Sequence, residues 1–237
     1  MVMNAPNLDR GMHRGDLGFR EVAPGRVQPL APAPSRPALM RIFDVAASLA
    51  CLIFLAPLML AILVLILVID RAPPVFGHTR IGRGGAAFKC FKFRTMRLDA
   101  DEHLRALLES DETARLWWER QHKLPEDPRI TPLGSLLRRS SLDELPQFLN
   151  VLRGEMSLVG PRPIVAAEIA KYGRYFEHYC RVRPGITGLW QVSGRSSTTY
   201  RRRVAMDVVY IRSRTLLLDL KIAALTLPAV VFQRGSQ

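Results

Sequence analysis

The longest apolar stretch of the chain runs from Val45 to Ile69 and contains one polar residue, Ser48, among its 25 positions. About 20 apolar residues in a helix cross a hydrocarbon layer of about 30 Å, so this stretch has the length of a membrane segment. A cleaved secretory signal does not fit, because its apolar part has about 7 to 15 residues near the N-terminus, whereas 44 residues come first here. A buried core helix is the remaining alternative, but a helix that is apolar on every face needs a larger surrounding core than this chain offers.

A proline at the centre of this stretch predicts its shape. Pro57 is the thirteenth of the 25 residues, and a mid-helix proline removes one backbone hydrogen bond and clashes with the preceding turn, so we expect a kink. Basic residues flank both ends, with Arg41 before the stretch and Arg71 and Arg80 after it, and such residues favour the cytoplasmic side. The pattern predicts a re-entrant hairpin with both ends in the cytoplasm, with a kinked spanning helix as the alternative.

The remaining apolar and polar positions predict short strands followed by helices. Residues 73–96 combine short apolar stretches with glycines 82, 84 and 85, which is typical of a small hairpin around a turn. Residues 99–123 have the spacing of an amphipathic helix, and residues 143–152 predict another helix with Gly154 just past its end. Residues 206–232 are apolar but interrupted by charges and a proline, so packing in a core and lying along a membrane surface are both open. The predicted apolar stripe of the 99–123 helix consists of Leu104, Leu107, Leu108, Leu116 and Trp117.

Charge and composition narrow the classes of molecule that the protein can bind. The chain has 34 Lys and Arg against 21 Asp and Glu, a net charge of +13, so its partners should include anions such as nucleic acid, anionic lipid or phosphorylated substrates. A hydrophobic content of 48% excludes a wholly disordered chain, although residues 1–37 hold 6 of the 17 prolines and predict a flexible tail. Three widely spaced cysteines give neither a disulfide framework nor a zinc pair, which favours a reducing compartment.

Two adjacent carboxylates lie in the densest polar cluster of the chain, residues 127–163. Asp143 and Glu144 precede Pro146, and because proline is tolerated in the first turn of a helix, a helix should begin near these acids. The N-terminus of a helix lowers the pKa of a carboxylate and attracts phosphate. A purely structural interpretation is also open, because Asp is a favoured N-cap and Ser141 with Glu144 matches a capping box.

Arginines near the carboxylates favour phosphate recognition. Arg138 lies five residues before Asp143, and Arg162 is held between Pro161 and Pro163 in a stiff turn. The planar guanidinium matches phosphate oxygens in two-point contacts, and flanking prolines reduce the entropy lost in presenting it. Plain surface ion pairs between these arginines and acids remain the alternative.

Four stretches in series resemble the signature of a known protein family. They are Phe91–Met96, Ser141–Gln147, Met156–Pro163 and Val182–Gly188. Through these stretches the sequence resembles the bacterial sugar transferases, the monotopic polyprenyl-phosphate phosphoglycosyl transferases, and in particular their exopolysaccharide-initiating members. The resemblance covers residues 38–233, which it makes one transferase domain with its membrane segment at residues 45–69.

The resemblance implies a membrane-anchored α+β protein that is mostly helical. Its expected parts are a re-entrant N-terminal hairpin helix broken at Pro57, a small β region and amphipathic interfacial helices. The implied location is the cytoplasmic face of the bacterial inner membrane. The family usually places a small polar residue before the proline, whereas Ala56 stands here, so a polar contact that would help to hold the bend is not available.

For activity, the resemblance implies a two-step transfer through a covalent intermediate. Asp143 would attack the β-phosphate of a nucleotide sugar, expected to be a UDP-hexose, and release the nucleoside monophosphate. A polyprenyl phosphate would then take the phosphosugar from the aspartyl intermediate. Mg²⁺ is expected to bridge the diphosphate and the carboxylates of Asp143 and Glu144, and Glu144 is expected to act as a metal-side or acid/base partner.

The resemblance also assigns expectations to four other residues. Lys92, Arg138 and Arg162 fall where the family has basic residues that contact phosphate. Asp207 falls on an acidic position of the family, where it is either an additional site acid or a helix-face acid paired with one of Arg201–Arg203.

Two other classes of function remain as alternatives. A membrane-anchored interaction protein whose basic face binds anionic lipid or nucleic acid suits the run Arg201–Arg203. No aromatic stacking platform or DNA-reading motif accompanies that run, so we expect no nucleic-acid partner. A glycosyltransferase that moves a sugar without its phosphate would release a nucleoside diphosphate instead. The expected partners are a nucleotide sugar, polyprenyl phosphate and membrane lipid, with a homodimer left open.

Overall fold

The computed structural model describes residues 38–121, 124, 127–193 and 198–231. The predicted tail at residues 1–37 lies outside the described residues. The helices are α1 (Ala38–Leu65), α2 (Ala100–Ser110), α3 (Glu112–Gln121), α4 (Pro132–Arg139), α5 (Gln147–Arg153), α6 (Ile169–Tyr172), α7 (Phe176–Cys180), α8 (Leu189–Ser193), α9 (Tyr200–Ser213) and α10 (Leu216–Val231). The strands are β1 (Val75–Ile81), β2 (Ala87–Phe93), β3 (Ser157–Val159) and β4 (Gly185–Thr187). The prediction of a mostly helical fold with a small β region is confirmed.

Helix α1 contains the predicted apolar segment and continues into a π-helical turn, Ile66–Asp70. Together these 33 residues are long and apolar enough to cross a membrane, by length and composition. A re-entrant bend at Pro57 stays a prediction, but the helix itself continues through this residue without interruption. The reason is that one proline removes a single backbone hydrogen bond, and the turns on either side keep theirs.

The N-terminal end of α1 is attached to the rest of the protein by polar side chains. Arg41 donates hydrogen bonds to the carbonyl oxygens of Val151 (2.8 Å) and Leu152 (3.1 Å), at the C-terminal end of α5. These carbonyls belong to the last turn of the helix, where the Gly154 N–H also bonds to the Val151 carbonyl, so the arginine adds to the C-terminal cap. Asp44 is fully buried and accepts a hydrogen bond from the hydroxyl of Ser157 at 3.1 Å.

The C-terminal end of α1 is attached by apolar packing. Ile62 and Ile66 are buried in one cluster with Phe93 of β2 and Leu137 of α4. Between the two attached ends, residues 49–61 include no buried residue. Both ends of α1 therefore contact the same domain, while its central part is half-buried or exposed.

The two short sheets have different topologies. β1 and β2 form an antiparallel hairpin with Phe76 opposite Lys92, as predicted for residues 73–96. Gly84 and Gly85 adopt φ values of 71° and 77° in its turn, a conformation that favours glycine. β3 and β4 are parallel, with Ser157 opposite Gly185.

The amphipathic helix predicted over residues 99–123 is wrong as a single helix. The chain is extended at Asp111, which separates α2 from α3. The physical reason is a local cap: the Asp111 carboxylate accepts a hydrogen bond from the Ala114 N–H at 3.0 Å and so starts a new helix. Leu104 is buried as predicted, whereas Leu116 and Trp117 are 45% and 42% exposed.

The later helices agree with the predictions in part. The helix predicted over residues 143–152 forms at Gln147–Arg153, and Gly154 follows it with a φ of 81°, as expected for a left-handed C-terminal glycine. Residues 206–232 contribute to α9 and α10. Ile222 of α10 is buried in a core cluster, whereas Leu217 is 77% exposed. This segment therefore packs in a core along one face and presents apolar side chains on the other.

Candidate active site

The two adjacent carboxylates lie in a single 3-10 turn, Leu142–Glu144, between α4 and α5. Ser141 precedes the turn with a φ of 58° and its side chain makes no capping hydrogen bond. The predicted capping box is therefore wrong, because an N-cap residue needs an extended backbone to direct its side chain at the first free N–H groups. Asp143 is buried, with 7% exposure.

Lys92 of β2 contacts both carboxylates. Its Nζ lies 2.6 Å from Oε1 of Glu144 and 3.3 Å from Oδ2 of Asp143. Asn150 fixes the strand that carries this lysine: its Oδ1 accepts from the Phe91 N–H at 2.9 Å and its Nδ2 donates to the Lys89 carbonyl at 2.7 Å. A side-chain amide thus pairs with the backbone of β2 and holds Lys92 over the turn. The sequence offered one signal for Asn150, a polar residue between the apolar pairs Phe148–Leu149 and Val151–Leu152.

The electrostatic environment separates the two acids. Burial raises the pKa of Asp143 above its ordinary value, although the charge of Lys92 opposes this effect. Burial also acts to raise the pKa of Glu144, but the charges of Lys92, Arg162 and Arg80 outweigh it and the net shift is downward. Burial acts to lower the pKa of Lys92, and the two carboxylates more than compensate for it, so Lys92 stays an ammonium.

Arg138 reaches the site from the C-terminal end of α4. Its Nε donates to the hydroxyl of Thr95 at 2.9 Å, and its charge acts on Asp143. The helix begins at an N-cap, Thr131, whose hydroxyl accepts from the Gly134 N–H at 2.9 Å. A Cβ at Gly134 would lie 2.1 Å from the carbonyl oxygen of Thr95, so α4 approaches this backbone more closely than any side chain permits.

Arg162 is exposed beside the carboxylates. Within the residues that the structure describes, its side chain has no hydrogen bond or ion pair, and its charge acts on Glu144 and Lys92. Arg80 donates a hydrogen bond to the carbonyl of Pro163 at 3.1 Å and lies 3.9 Å from Oε2 of Glu168. From the sequence, this arginine had indicated only the membrane topology of the apolar segment. No sequence signal indicated that Arg80 lies near the site, because its contact with Pro163 joins segments that are distant in sequence.

Asp207 lies in the core of the protein rather than beside Lys92. Its Oδ2 accepts a hydrogen bond from the hydroxyl of Tyr172 at 2.7 Å, and the residue is 1% exposed. No ion pair joins it to Arg201–Arg203 in the described part of the chain. Burial raises the pKa of Asp207 to about 7, against the opposing effects of the Tyr172 hydrogen bond and the charge of Arg203.

The arrangement suits chemistry on a phosphate. The buried Asp143 carboxylate, with its raised pKa, is a stronger base, and the charges of Lys92 and Arg138 act on it, while that of Arg162 acts on the neighbouring Glu144. Among the described residues, no group of three or more His, Cys, Asp or Glu side chains could hold a metal ion.

Comparison with known proteins gives a consistent picture. A family model described as bacterial sugar transferase matches residues 35–233. The chain is 48% identical over 196 residues to the exopolysaccharide production protein ExoY of Sinorhizobium fredii, covering 83% of this chain and 87% of that protein. It is 42% identical over 228 residues to the undecaprenyl-phosphate galactose phosphotransferase of Salmonella typhimurium, covering 95% of this chain and 48% of that protein.

A third relative has a different named sugar. The chain is 43% identical over 186 residues to the UDP-glucose:undecaprenyl-phosphate glucose-1-phosphate transferase of Xanthomonas campestris pv. campestris, covering 75% of this chain and 36% of that protein. These relatives are thus named for galactose and for glucose, while the acceptor in both names is undecaprenyl phosphate.

Proposed function

Since the chain belongs to the bacterial sugar transferase family and is a phosphoglycosyl transferase, we propose that it transfers a phosphohexose from a UDP-hexose to undecaprenyl phosphate and releases UMP. This would be the first membrane step in the synthesis of an exopolysaccharide or a related glycan. The observation that carries the proposal is the contact of Lys92 with both Asp143 and Glu144, at 3.3 and 2.6 Å, beside the exposed Arg162. The names of the relatives support transfer of the sugar together with its phosphate rather than of the sugar alone.

Asp143 is the nucleophile in this proposal. A carboxylate oxygen of Asp143 forms a bond to the β-phosphorus of the donor, and the bond from that phosphorus to the bridging oxygen breaks. UMP leaves with the electron pair. An oxygen of undecaprenyl phosphate then attacks the same phosphorus and displaces the Asp143 carboxylate, which regenerates the enzyme. Burial of Asp143 supports this role, because a poorly solvated carboxylate of raised pKa is more basic and more reactive.

The basic residues stabilise charge at each step. Lys92 contacts the Asp143 carboxylate before the reaction. Once that carboxylate has formed its ester, the same ammonium group can stabilise the negative charge on the transferred phosphate. Arg138, fixed by its hydrogen bond to Thr95, and the exposed Arg162 supply planar donors for phosphate oxygens. Glu144, whose pKa is lowered by Lys92 against the effect of its burial, stays ionised and holds Lys92 in place.

Asp143 and Glu144 are also suitable partners for Mg²⁺. This ion typically takes one or two carboxylates and completes its coordination with water and substrate phosphates. Lys92 occupies one oxygen of each carboxylate, which leaves the other oxygen of each available. Bound there with the donor, Mg²⁺ would neutralise charge on the diphosphate.

We further propose that α1 enters and leaves the membrane on one side, as a re-entrant helix. Arg41 binds the Val151 carbonyl, whereas Ile62 packs in a cluster that includes Leu145. Leu145 and Val151 are six residues apart, about 9 Å along a helix, but 21 residues from Arg41 to Ile62 span about 31 Å if straight. A bend in the unburied part of α1, which contains Pro57, accommodates both contacts.

The cellular setting follows from this topology. With both ends of α1 on one side and basic residues at both flanks, the catalytic domain lies at the cytoplasmic face of the inner membrane. Nucleotide sugars are made in the cytoplasm, so the donor reaches the site from there. Membrane lipid is then a permanent partner, and the exposed apolar side chains of α10, such as Leu217 at 77%, suit an interfacial position. No role for nucleic acid is needed, and a homodimer remains a proposal without a specific surface.

The proposed reaction is tested with the purified full-length protein in neutral-lipid nanodiscs. A panel of nucleotide sugars is supplied with and without undecaprenyl phosphate, and the released nucleotide is identified. We expect UMP from a UDP-hexose, and a protein adduct of one phosphohexose on Asp143 when the acceptor is omitted. Release of a nucleoside diphosphate would instead identify a transferase that moves the sugar without its phosphate.

Substitutions in the turn test the assignment of the nucleophile. Asp143→Asn should lower turnover at least about a thousandfold, since the amide keeps the size of the side chain but cannot form the ester. Glu144→Gln should also be severe, and Asp101→Asn, at an exposed acid of α2, is the matched control. More than about a tenth of wild-type activity in Asp143→Asn, a barrier increase under about 1.4 kcal/mol, would remove Asp143 from this role.

A further inference from the structure

Arg203 of α9 is held in a fixed orientation by two aromatic rings. Its guanidinium carbon lies 4.0 Å from the centre of the Trp190 ring and 5.4 Å from that of Tyr200. Among the described residues no acceptor takes a hydrogen bond from its side chain, and its Nε is buried without a partner. Stacking on aromatic faces satisfies the flat surface of a guanidinium but leaves its in-plane N–H donors free. Within the part of the chain that the structure describes, these donors are therefore positioned and unpaired.

The parallel pairing of β3 and β4 places Arg203 next to Arg162. Ser157 lies opposite Gly185, and the position five residues beyond each of them is Arg162 on one chain segment and Trp190 on the other. The two segments stay in backbone contact past the strands, since a Cβ at Gly188 would lie 2.3 Å from the carbonyl oxygen of Gly160. Trp190 lies in α8, which begins directly after Gly188, and Arg203 rests on Trp190 within reach of the charge of Arg162.

The surroundings of these arginines contain more positive than negative charge. Burial lowers the pKa of Arg203 and of Arg80, and in each case the charge of Arg162 is the next contribution. The carboxylate that acts on both is Glu168, which lies 3.9 Å from Arg80. Arg80 and Arg203 therefore share the carboxylate of Glu168, while Arg162 acts on Glu144. Like charges held together at a partly buried site are stabilised when an anion binds between them.

We propose that Arg162 and Arg203 together form a binding site for a phosphate monoester. The inference rests on the proposed function, in which two phosphate monoesters take part, the released nucleoside monophosphate and the polyprenyl phosphate acceptor. Arg162 acts on Glu144 on one side and on Arg203 on the other, whereas Arg138 acts on Asp143. Arg162 therefore links the carboxylate turn to Arg203. Two guanidinium forks supply the paired donors that the oxygens of a phosphate dianion accept.

Binding measurements with two probes test the site and distinguish its ligand. The full-length protein in neutral-lipid nanodiscs is titrated with UMP and, separately, with farnesyl phosphate, by isothermal titration calorimetry. Arg203→Met should raise the Kd for one of the probes at least tenfold, and Arg162→Ala should weaken the same probe. An effect on UMP identifies the leaving group as the ligand, and an effect on farnesyl phosphate identifies the acceptor. Arg202→Met, at the exposed neighbour on α9, should change neither Kd by more than twofold.

Two further results keep the inference separable from protein folding and from the proposed reaction. Arg203→Lys retains the charge but loses the two-point contact, so it should raise the same Kd at least threefold even if Arg203→Met fails to fold. Unchanged binding of both probes in folded Arg203 variants, with binding weakened in Arg162→Ala, overturns the role of Arg203 and leaves the proposed function intact. Binding of neither probe to the wild-type protein overturns both.

Discussion

Replacing Asp207 by asparagine should stabilise the protein in a pH-dependent manner. The Asp207 carboxyl group is 1% exposed, accepts one hydrogen bond from Tyr172 at 2.7 Å, and its Oδ1 is buried without a partner. An ionised carboxylate at such a position has lost most of its hydration, and one hydrogen bond does not replace it. An asparagine oxygen can accept the same hydrogen bond from Tyr172 without carrying a charge.

The magnitude follows from the pKa of this carboxyl group. Burial raises it from 3.8 to about 7, so the folded protein retains a proton that the unfolded chain releases. The stability that this protonation contributes is fully present below pH 4 and is lost as the pH rises through 7. About three pKa units at about 1.4 kcal/mol each give a loss of at most about 4 kcal/mol by pH 8. That is a large part of the 5 to 15 kcal/mol that typically stabilises a folded domain.

The assay is thermal unfolding in nanodiscs at several values between pH 5 and pH 8. The melting temperature of Asp207→Asn relative to that of the wild type should rise from pH 5 to about pH 7 and then level off towards pH 8, because the pH dependence lies between the unfolded and the folded pKa of Asp207. Asp99→Asn is the control, because a hydrogen bond from Arg97 shifts the pKa of Asp99 in the opposite direction, downward. The contribution of Asp99 to stability is therefore constant between pH 5 and pH 8. A difference between Asp207→Asn and the wild type that stays constant from pH 5 to pH 8 would refute the reasoning.

Three other predictions address the support of the site and its topology. Asn150→Ala should lower the free energy of unfolding by about 2 to 3 kcal/mol, because two backbone groups of β2 lose their partner. Thermal unfolding, with Gln147→Ala as the comparison, measures this loss of stability, and a loss under about 0.5 kcal/mol would contradict the prediction. Gly134→Ala should cost at least about 2 kcal/mol and reduce transfer, since its Cβ would lie 2.1 Å from a carbonyl oxygen, while Ser135→Ala should do neither. Single cysteines at residues 20 and 83, in a background without the native cysteines, should both resist an impermeant thiol reagent applied to spheroplasts; labelling of residue 20 alone would show that α1 spans.

Local sequence patterns predicted the elements that local physics determines. The hairpin over residues 73–96 formed because its glycines permit the turn, and Gly154 ends α5 in the left-handed conformation expected of it. The prediction that a helix starts at Ser141 failed because the path of the chain between α4 and α5, and not the residue type, determines the backbone conformation there. Serine is a residue type favoured at N-caps, but the left-handed backbone of Ser141 directs the chain from α4 into the turn that carries the two carboxylates.

The residues around the carboxylates were predictable only in part, for a physical reason. Resemblance to a family indicated Lys92, Arg138 and Arg162, and the structure brings Lys92 into contact with both acids. Asn150 and Arg203 were not predicted, because their positions depend on contacts between segments distant in sequence. A run of arginines such as Arg201–Arg203 usually marks a solvated face, and nothing local distinguishes the one that rests on Trp190.

The position of the carboxylate turn explains how one site can serve a soluble and a lipid substrate. Leu142 and Leu145 flank Asp143 and Glu144 and pack against the cluster around Ile66, near the C-terminal end of the apolar helix. Four residues, about 6 Å of helix, separate Ile66 from the end of that helix at residue 70. In the proposed topology the acids therefore lie near the depth of lipid phosphates, and the acceptor keeps its polyprenyl chain in the bilayer while its phosphate reaches Asp143. The donor is soluble and can approach from the aqueous side, where Arg162 is exposed.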